Sequence, residues 1–230
     1  MSDQGLLKRL APVLHGGSYL AEVVAVDDPE QLGRVQLRLI SFDEVDGQDA
    51  PIWARVAVPF AGNNRGAFLI PDVGDEVLVN FVNGDSRLPV VIGGLWNGSA
   101  DVPEQLGGDR VDRWTITGKA GTRIAIIEEQ PADATISLTT PGGVSAELTD
   151  AGGGKIEFRI GGTTVTYDNQ GVTVNTGMNV TVQATQVEIN AAMVTVNAGM
   201  SRFNGVVQAD TVITNSVISA SYTPGAGNIW

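Results

Sequence analysis

The sequence contains no cysteine and a single histidine, His15. Without cysteine there are no disulfides, no thiolate metal sites and no cysteine nucleophile. One histidine leaves almost no material for a Ser-His-Asp triad or an imidazole-ligated zinc site. His15 lies beside glycines near the start of the chain, where a structural or solvated role is favoured over catalysis. We therefore expect no metal, no cofactor and no catalytic residue.

The chain also lacks long apolar runs and an excess of basic residues. No stretch approaches the roughly twenty apolar residues of a transmembrane helix, and the first residues lack the apolar segment of a signal peptide. These absences predict a protein that is made and folded in a cytoplasm, with any later export as part of something larger. The net charge is −12. Because phosphate binding needs a basic surface, this charge argues against a nucleic-acid partner.

Charged residues are scarce in the last third of the chain. Between Gly161 and Trp230 the only ones are Asp168, Glu188, Arg202 and Asp210, far fewer than on an ordinary soluble surface. A face of Thr, Asn, Gln and Ser has few hydrated ions to strip, which suits a body that crosses a membrane or a narrow channel. The shaft of an inert trimeric fibre would need the same surface.

This region has instead a regular repeat of apolar pairs at positions i and i+2. The first members of successive pairs advance by 7, 7, 8, 7 and 7 residues. Two residues at this spacing lie on one face of a strand, and small or polar residues typical of turns separate the pairs. A coiled coil is disfavoured, because its apolar residues are three or four apart and Thr, Val, Asn and Gly are poor helix formers. The pairs are Phe158/Ile160, Val165/Tyr167, Val172/Val174, Val180/Val182, Val187/Ile189 and Val194/Val196.

Each unit is too short to enclose a core of its own, because the coils of a single-chain β-helix need roughly twenty residues. Three chains wrapped around a common axis would each supply one face of a triangular prism, with the apolar pairs inside. We therefore predict an intertwined trimeric β-helix whose core is formed by the paired residues, so that folding and assembly cannot be separated.

The preceding region has the pattern of a small β-barrel. Alternating apolar runs from Tyr19 onwards give five or so short strands in about eighty residues, with Gly-rich corners and a hairpin signal at Asn83-Gly84-Asp85. These features predict a closed barrel of the OB type. The whole chain is thus predicted to be all-β.

The predicted organisation has five parts. An N-terminal arm, residues 1–18, holds a short helix over Gln4–Val13, and the barrel spans 19–98. A linker, 99–113, leads to the trimeric shaft, 114–205, and the needle tip is 206–230. Between Trp114 and Lys155 the apolar residues still alternate, but at a spacing of about ten, which predicts longer and looser coils where the chains begin to entwine.

The acidic pairs and the aromatic residues of the barrel are further candidates for functional roles. The acidic pairs Asp27-Asp28 and Glu128-Glu129 fall in predicted turns, so solvated turns are favoured over catalytic carboxylates. The aromatic residues of the barrel are expected in its core or, for the two tryptophans, at barrel closure or a subunit contact. They are Phe60, Phe68, Phe81, Trp53 and Trp96.

Three strings in the barrel region carry a resemblance to a known family. They are GRVQLRLISFDE, APIWARVAVPFAGNNRGAFLIPDVGDEVLVNFVNGD and RLPVVIGGLWNG. Together they closely resemble the OB-domain signature of the VgrG and baseplate-spike family over Tyr19 to Gly98. That family includes the central spikes of contractile phage tails, R-type bacteriocins, type VI secretion and extracellular injection systems. The resemblance implies an OB barrel followed by an intertwined trimeric β-helix that acts as a structural, membrane-puncturing spike rather than an enzyme.

The departures from the family pattern bear on partners. Some phage members carry a lysozyme domain before the needle, whereas Ser99 to Arg113 is too short for any enzyme. Some short spikes bind iron at the tip through a histidine pair, which this chain lacks. The resemblance therefore implies a separate PAAR-repeat cap, together with a baseplate hub, tube proteins, further copies of this chain, and the target membrane on firing. The residues expected to form the tip or contact the cap are Tyr222, Pro224, Asn228, Ile229 and Trp230.

Two other functions remain open from the residues alone. A trimeric receptor- or carbohydrate-binding tail fibre predicts exposed aromatic side chains along the shaft, yet only Phe158 and Tyr167 are aromatic between Lys155 and Ser201. A β-helical polysaccharide lyase needs a cluster of acidic and basic residues, which the nearly uncharged shaft does not supply. The residues do not distinguish phage, bacteriocin and injection system.

Overall fold

The computed structural model describes residues 17–42 and 50–220. The predicted N-terminal helix, His15 and the five predicted tip residues lie outside these ranges. Within them the chain forms β-strands and three single-turn 3-10 helices, with no α-helix and hence no helix that could cross a membrane. The strands are β1 (Tyr19–Ala25), β2 (Val35–Leu39), β3 (Ile52–Val56), β4 (Ala61–Gly62), β5 (Arg65–Gly66), β6 (Glu76–Phe81), β7 (Pro89–Leu95), β8 (Arg113–Thr117), β9 (Arg123–Ile127), β10 (Thr135–Thr139), β11 (Ser145–Thr149), β12 (Lys155–Ile160), β13 (Thr163–Asp168) and β14 (Gly171–Asn175).

The first region is the predicted small barrel. Five strands close in the order β1-β2-β3-β7-β6, and β6 pairs back onto β1. All neighbouring strands are antiparallel except β3 and β7, which are parallel. This all-β closed barrel is consistent with an OB fold.

Alternation along the strands builds the barrel core. In β1, for example, Ala21 and Val23 point inwards and are fully buried, while Glu22 between them points out and pairs with Arg38 at 2.6 Å. The inward side chains form one cluster with exposures of 0–2%. Its members are Ala21, Val23, Val35, Leu37, Ala54, Val77, Val79 and Val91.

Two turns of the barrel contain the residue types that their backbone conformations require. Asn83 and Gly84 both have positive φ, 55° and 72°, in the connection between β6 and β7, as the hairpin signal predicted. Gly66 has φ +156°, and a Cβ there would lie 2.9 Å from the carbonyl oxygen of Phe60. The β4–β5 hairpin therefore needs glycine at this position.

The second region is a seven-stranded sheet in which β8 to β14 pair in sequence order. Every pairing is antiparallel. The spacing of about ten residues predicts that the chains begin to entwine from Trp114, whereas the strands of this region pair with one another within one chain. The turns explain the difference: Gly161-Gly162 and Asn169-Gln170 are two-residue connections, which join antiparallel neighbours but cannot carry a chain to the next face of a prism.

A second unit of the chain begins at Val180. Residues 176–220 form no strand within the chain. Six of the predicted trimer-core residues lie in this unit, and each is well over half exposed in the isolated chain. They are Val180, Val182, Val187, Ile189, Val194 and Val196.

Candidate functional site

The seven-stranded sheet has one continuous apolar face. Residues paired directly across antiparallel strands point to the same side, and the register aligns the apolar side chains of all seven strands in two rows. The first row is Trp114, Ile126, Ile136, Leu148, Ile156, Tyr167 and Val172. The second row is Ile116, Ile124, Leu138, Ala146, Phe158, Val165 and Val174.

This apolar face is uncovered in the isolated chain. Ile136, in the central part of the first row, is 43% exposed, and Phe158 in the second row is 47% exposed. A shallow groove of about 570 Å³ follows the first row between Ile126 and Tyr167. Soluble monomers rarely expose a contiguous apolar surface of this extent, so the face has the character of an interaction surface.

The opposite face of the sheet is polar and carries ion pairs. Lys155, Glu157 and Arg159 alternate with apolar residues along β12, and Arg159 pairs with Glu157 at 2.5 Å. The Arg159 guanidinium, with a smaller contribution from Lys155, lowers the pKa of the Glu157 carboxyl. This face suits contact with water, and it leaves the apolar face as the one that needs a partner.

The segment between barrel and sheet is fastened to the polar face. Glu104 accepts a hydrogen bond from Nε of Arg123 at 2.7 Å, and Arg113 lies 3.5 Å from its other carboxylate oxygen. These contacts, first of all the one with Arg123, lower the pKa of Glu104. Ala125, on the same face, is fully buried. The linker therefore occupies the polar side of the sheet and leaves the apolar rows free.

One ion pair joins the barrel to the sheet. Lys119, in the turn between β8 and β9, pairs with Asp72, in the loop that leads into β6. The ammonium group lowers the pKa of the Asp72 carboxyl. Both side chains are substantially exposed, so this contact contributes little to stability.

The predicted trimer-core residues fall into two groups. Phe158, Val165, Tyr167, Val172 and Val174 lie in the two rows, and Ile160 continues the same face of β12 by alternation. The other six lie in the unit from Val180, where no strand positions them.

The predicted trimer core begins at Phe158 and does not include the residues of the apolar face that precede it. The apolar residues of β8 to β11 alternate clearly, but their spacing of about ten placed them outside the regular repeat. The signal was the i, i+2 alternation itself, which is the same in all seven strands, whereas the repeat length depends only on the turns. The omitted residues are Trp114, Ile116, Ile124, Ile126, Ile136, Leu138, Ala146, Leu148 and Ile156.

Two phenylalanines expected in the barrel core, and one of the two tryptophans expected at barrel closure or a subunit contact, are exposed. Phe60, Phe68 and Trp96 are 62%, 82% and 66% exposed, because they lie in or beside loops rather than at inward strand positions. Phe81 is as expected, half-buried against the core, with its ring 5.5 Å from that of Tyr19 in an edge-to-face contact. Trp53 is half-buried on the outer side of β3.

One acidic residue expected in a solvated turn is buried. Asp28 is 7% exposed and accepts hydrogen bonds from the backbone N–H groups of Glu30, Leu32 and Arg34. The Arg34 guanidinium also donates to both of its oxygens. These donors, the guanidinium first, hold the pKa of the carboxyl well below its usual range. Across residues 17–42 and 50–220, no cluster of three potential His, Cys, Asp or Glu ligands could hold a metal ion.

Comparison with known proteins places the barrel among injector components. Residues 19–96 match the type VI secretion system and phage-baseplate injector OB domain. The type VI secretion system spike protein VgrG1a of Pseudomonas aeruginosa is 35% identical over 79 residues, 34% of this chain and 12% of that protein. The spike protein VgrG3 of Vibrio cholerae is 41% identical over 96 residues, 39% of this chain and 9% of that protein.

A further relative is a toxin. The actin cross-linking toxin VgrG1 of Vibrio cholerae is 30% identical over 95 residues, again 9% of its length. The matched region thus spans about a tenth of the length of these relatives. The family match covers the barrel, and the sheet from Arg113 onwards lies outside it.

Proposed function

We propose that this chain, whose residues 19–96 are an OB domain of the type VI secretion and phage-baseplate injector family, is the central spike of a contractile tail or injection system. Three copies form a needle with the barrels as a collar at its base. The needle has a mechanical role and carries no catalytic site of its own.

The observation that carries this proposal is the apolar face of the sheet. Two rows cross all seven strands, and their side chains are roughly half exposed. Covering a half-exposed Val, Leu or Ile side chain is worth on the order of 1 kcal/mol. Three such faces packed around an axis would bury both rows at once and leave the three polar faces outside.

The unit from Val180 has a different role in the proposal. Its apolar pairs continue the period of seven residues as far as Val196, and residues 180–220 form no strand within the chain. Backbone N–H and C=O groups need partners when apolar side chains are buried around them. We therefore place the entwined β-helix in this unit, where strands from other copies would supply the partners.

The remaining parts of the proposal concern the ends of the needle. The barrel collar would seat on a baseplate hub and tube assembled in the bacterial cytoplasm. The residues from Tyr222 to Trp230 would form the tip or bind a PAAR-repeat cap, and contraction of a sheath would drive the needle into the target membrane. These assignments rest on the family of the barrel and on the sparse charge beyond Gly161.

Molar mass in solution tests the proposal directly. The full chain should have three times the 24.0 kDa mass of one copy by light scattering, whereas a chain ending at Gly108, which retains the closed barrel, should lose the trimer. A full-length chain that remains a monomer at micromolar concentration would refute the three-chain needle. A trimer that persists after truncation would instead assign assembly to the barrel.

A further inference from the structure

The barrel carries a second concave surface, unrelated to the apolar face of the sheet. It is a groove of about 430 Å³ on the outer side of β3, between the β1–β2 loop and the β6–β7 loop. In other OB barrels, oligonucleotides and oligosaccharides bind on the face of strands 2 and 3 and at the loops beside it. Its principal lining residues, which define the arginine groove, are Leu32, Arg34, Trp53, Arg55, Arg87 and Leu88.

One wall of the arginine groove is held in place without a ligand. The buried carboxylate of Asp28 fixes Arg34 through contacts of 2.7 and 3.1 Å. The guanidinium carbon of Arg34 lies 5.7 Å from the ring centroid of Trp53, a cation–π distance. The indole is therefore oriented before anything binds, which reduces the entropy lost on binding.

The three arginines of the groove differ in whether a carboxylate compensates their charge. Arg34 is neutralised by Asp28, and Arg87 forms a two-pronged ion pair with Asp85 at 2.6 and 2.9 Å. Arg55 points outwards from β3, because its neighbour Ala54 is fully buried, and it is exposed. Its side chain has no ion-pair or hydrogen-bond partner within the described part of the chain. The groove thus presents one uncompensated guanidinium beside an indole and a leucine, in a chain of net charge −12.

We propose that the arginine groove docks an extended segment of a partner protein that carries one carboxylate next to apolar side chains. The carboxylate would pair with Arg55, and the apolar side chains would lie on Trp53 and Leu88. A nucleic-acid strand fits less well, because a row of phosphates needs several uncompensated cations and only Arg55 is one. This docking surface does not depend on the needle: it would exist whether or not three copies assemble.

Binding of defined peptides to the full-length chain tests the inference. The probes are a fluorescein-labelled hexapeptide of alternating Glu and Leu, the same peptide with Gln in place of Glu, and a labelled dT oligonucleotide, all followed by fluorescence anisotropy. We expect saturable binding of the Glu–Leu peptide and about tenfold weaker binding of the Gln–Leu peptide, since a charge-assisted hydrogen bond is worth about 1.5 kcal/mol or more.

Two matched variants make the result specific to the groove. Arg55→Gln should weaken binding of the Glu–Leu peptide about tenfold. Arg65→Gln, in the exposed β5 strand outside the groove, removes the same charge and should leave binding unchanged. Neither side chain is in the barrel core, so both variants should keep the wild-type circular dichroism spectrum and melting temperature.

Four outcomes would overturn the inference. They are no saturable binding of the Glu–Leu peptide at millimolar concentration, equal binding of the two peptides, equal losses in the two variants, or tighter binding of dT than of the peptide. The last would assign the groove to single-stranded nucleic acid. None of these outcomes bears on the mass of the assembled chain, so the docking surface and the needle are tested separately.

Discussion

The strands of the barrel and of the seven-stranded sheet show the same alternation of side chains, but the barrel closes and the sheet stays open. In the barrel, Val23 and Leu37 are fully buried, because β6 pairs back onto β1 and the inner face has no opening. In the sheet, Ile136 and Phe158 occupy equivalent alternating positions and remain about half exposed. The strands of the sheet run in sequence from β8 to β14, and β14 does not pair back onto β8, so the sheet does not close as the barrel does.

This difference indicates that the barrel is stable within one chain, whereas the sheet depends on a partner. A closed barrel with its own core needs no second chain, whereas an open sheet with one apolar face needs a cover. The region after the sheet continues this trend, since residues 180–220 form no strand within the chain. Dependence on other copies is thus expected to rise along the chain from barrel to tip, and the following substitutions test that order.

The largest expected effect comes from a charge on the apolar face. Ile136→Asp places a carboxylate in the centre of the first row, and a buried unpaired charge is strongly destabilising. We expect the mass of the assembled chain to fall from three copies to one in light scattering. Ser137→Asp is the matched control: it lies next along β10 on the polar face and should leave the mass unchanged. Equal behaviour of the two variants would show that the apolar face is not the contact.

The next effect is confined to the barrel. Leu37→Ala removes a fully buried side chain from the core and should lower the free energy of unfolding of the barrel by about 2–5 kcal/mol. Urea unfolding, followed by the fluorescence of the barrel tryptophans, measures this. The exposed Leu69 provides the control, because Leu69→Ala should change the free energy of unfolding by about 0.5 kcal/mol or less. The mass of the assembly should survive Leu37→Ala at low urea, and its loss there would mean that the barrel and the needle do not fold independently.

A smaller effect is expected at the ion pair of the β1–β2 loop. Arg34→Ala leaves the buried Asp28 carboxylate with its three backbone donors but without its guanidinium. The midpoint of urea unfolding of the barrel should therefore fall. Arg65→Ala, at an exposed position, should not shift the midpoint. An unchanged midpoint for Arg34→Ala would mean that the backbone donors alone satisfy Asp28.

The smallest effect is a pH dependence of barrel stability. The pKa of Asp28 lies well below its usual range, and that of Asp85 is lowered to about 2 by Arg87. A carboxyl whose pKa is lower in the folded than in the unfolded state stabilises the fold above the unfolded pKa of about 4, and this contribution is lost as the pH falls through the folded pKa. The melting temperature of the barrel should therefore decrease between pH 4 and pH 2.

Variants of the two neighbouring acids separate this contribution from general acid effects. Asp28→Asn should lower the melting temperature at neutral pH and reduce its dependence on pH. Asp27→Asn, at an exposed position next to it, should do neither, because the Asp27 side chain makes no hydrogen bond within the described residues. A pH profile that is the same in both variants would assign the acid sensitivity to other carboxyls.

Much of the fold could be predicted because it depends on local pattern. The i, i+2 alternation placed Val165, Tyr167, Val172 and Val174 on one face, and the sheet register confirms that shared face. The Asn83-Gly84 pair predicted a hairpin that the structure contains. Trimer formation and the tip residues stay predictions. The resemblance of the barrel strings to injector proteins is confirmed by the match of residues 19–96.

The errors concern contacts between residues distant in sequence. The alternating or pre-turn positions of Phe60 and Phe68 predict core side chains, yet both residues lie in loops and are exposed. Asp28 was placed in water because it is acidic and lies in a turn, yet Arg34 and three backbone N–H groups surround it. Composition alone does not reveal which groups a loop brings together.

The strand type, the shared face of the apolar pairs from Phe158 onwards, the family of the barrel and the scarcity of charge beyond Gly161 all follow from the amino-acid sequence. These depend on side-chain alternation and on residue type, both of which are local. The fold shows that one chain forms the whole sheet from Arg113 to Asn175. It also shows that Glu104 attaches the linker to the polar face of that sheet. Neither contact is evident from the sequence. Period two decides which way a side chain points, but the choice of hydrogen-bonded neighbour depends on turn length and on contacts through space.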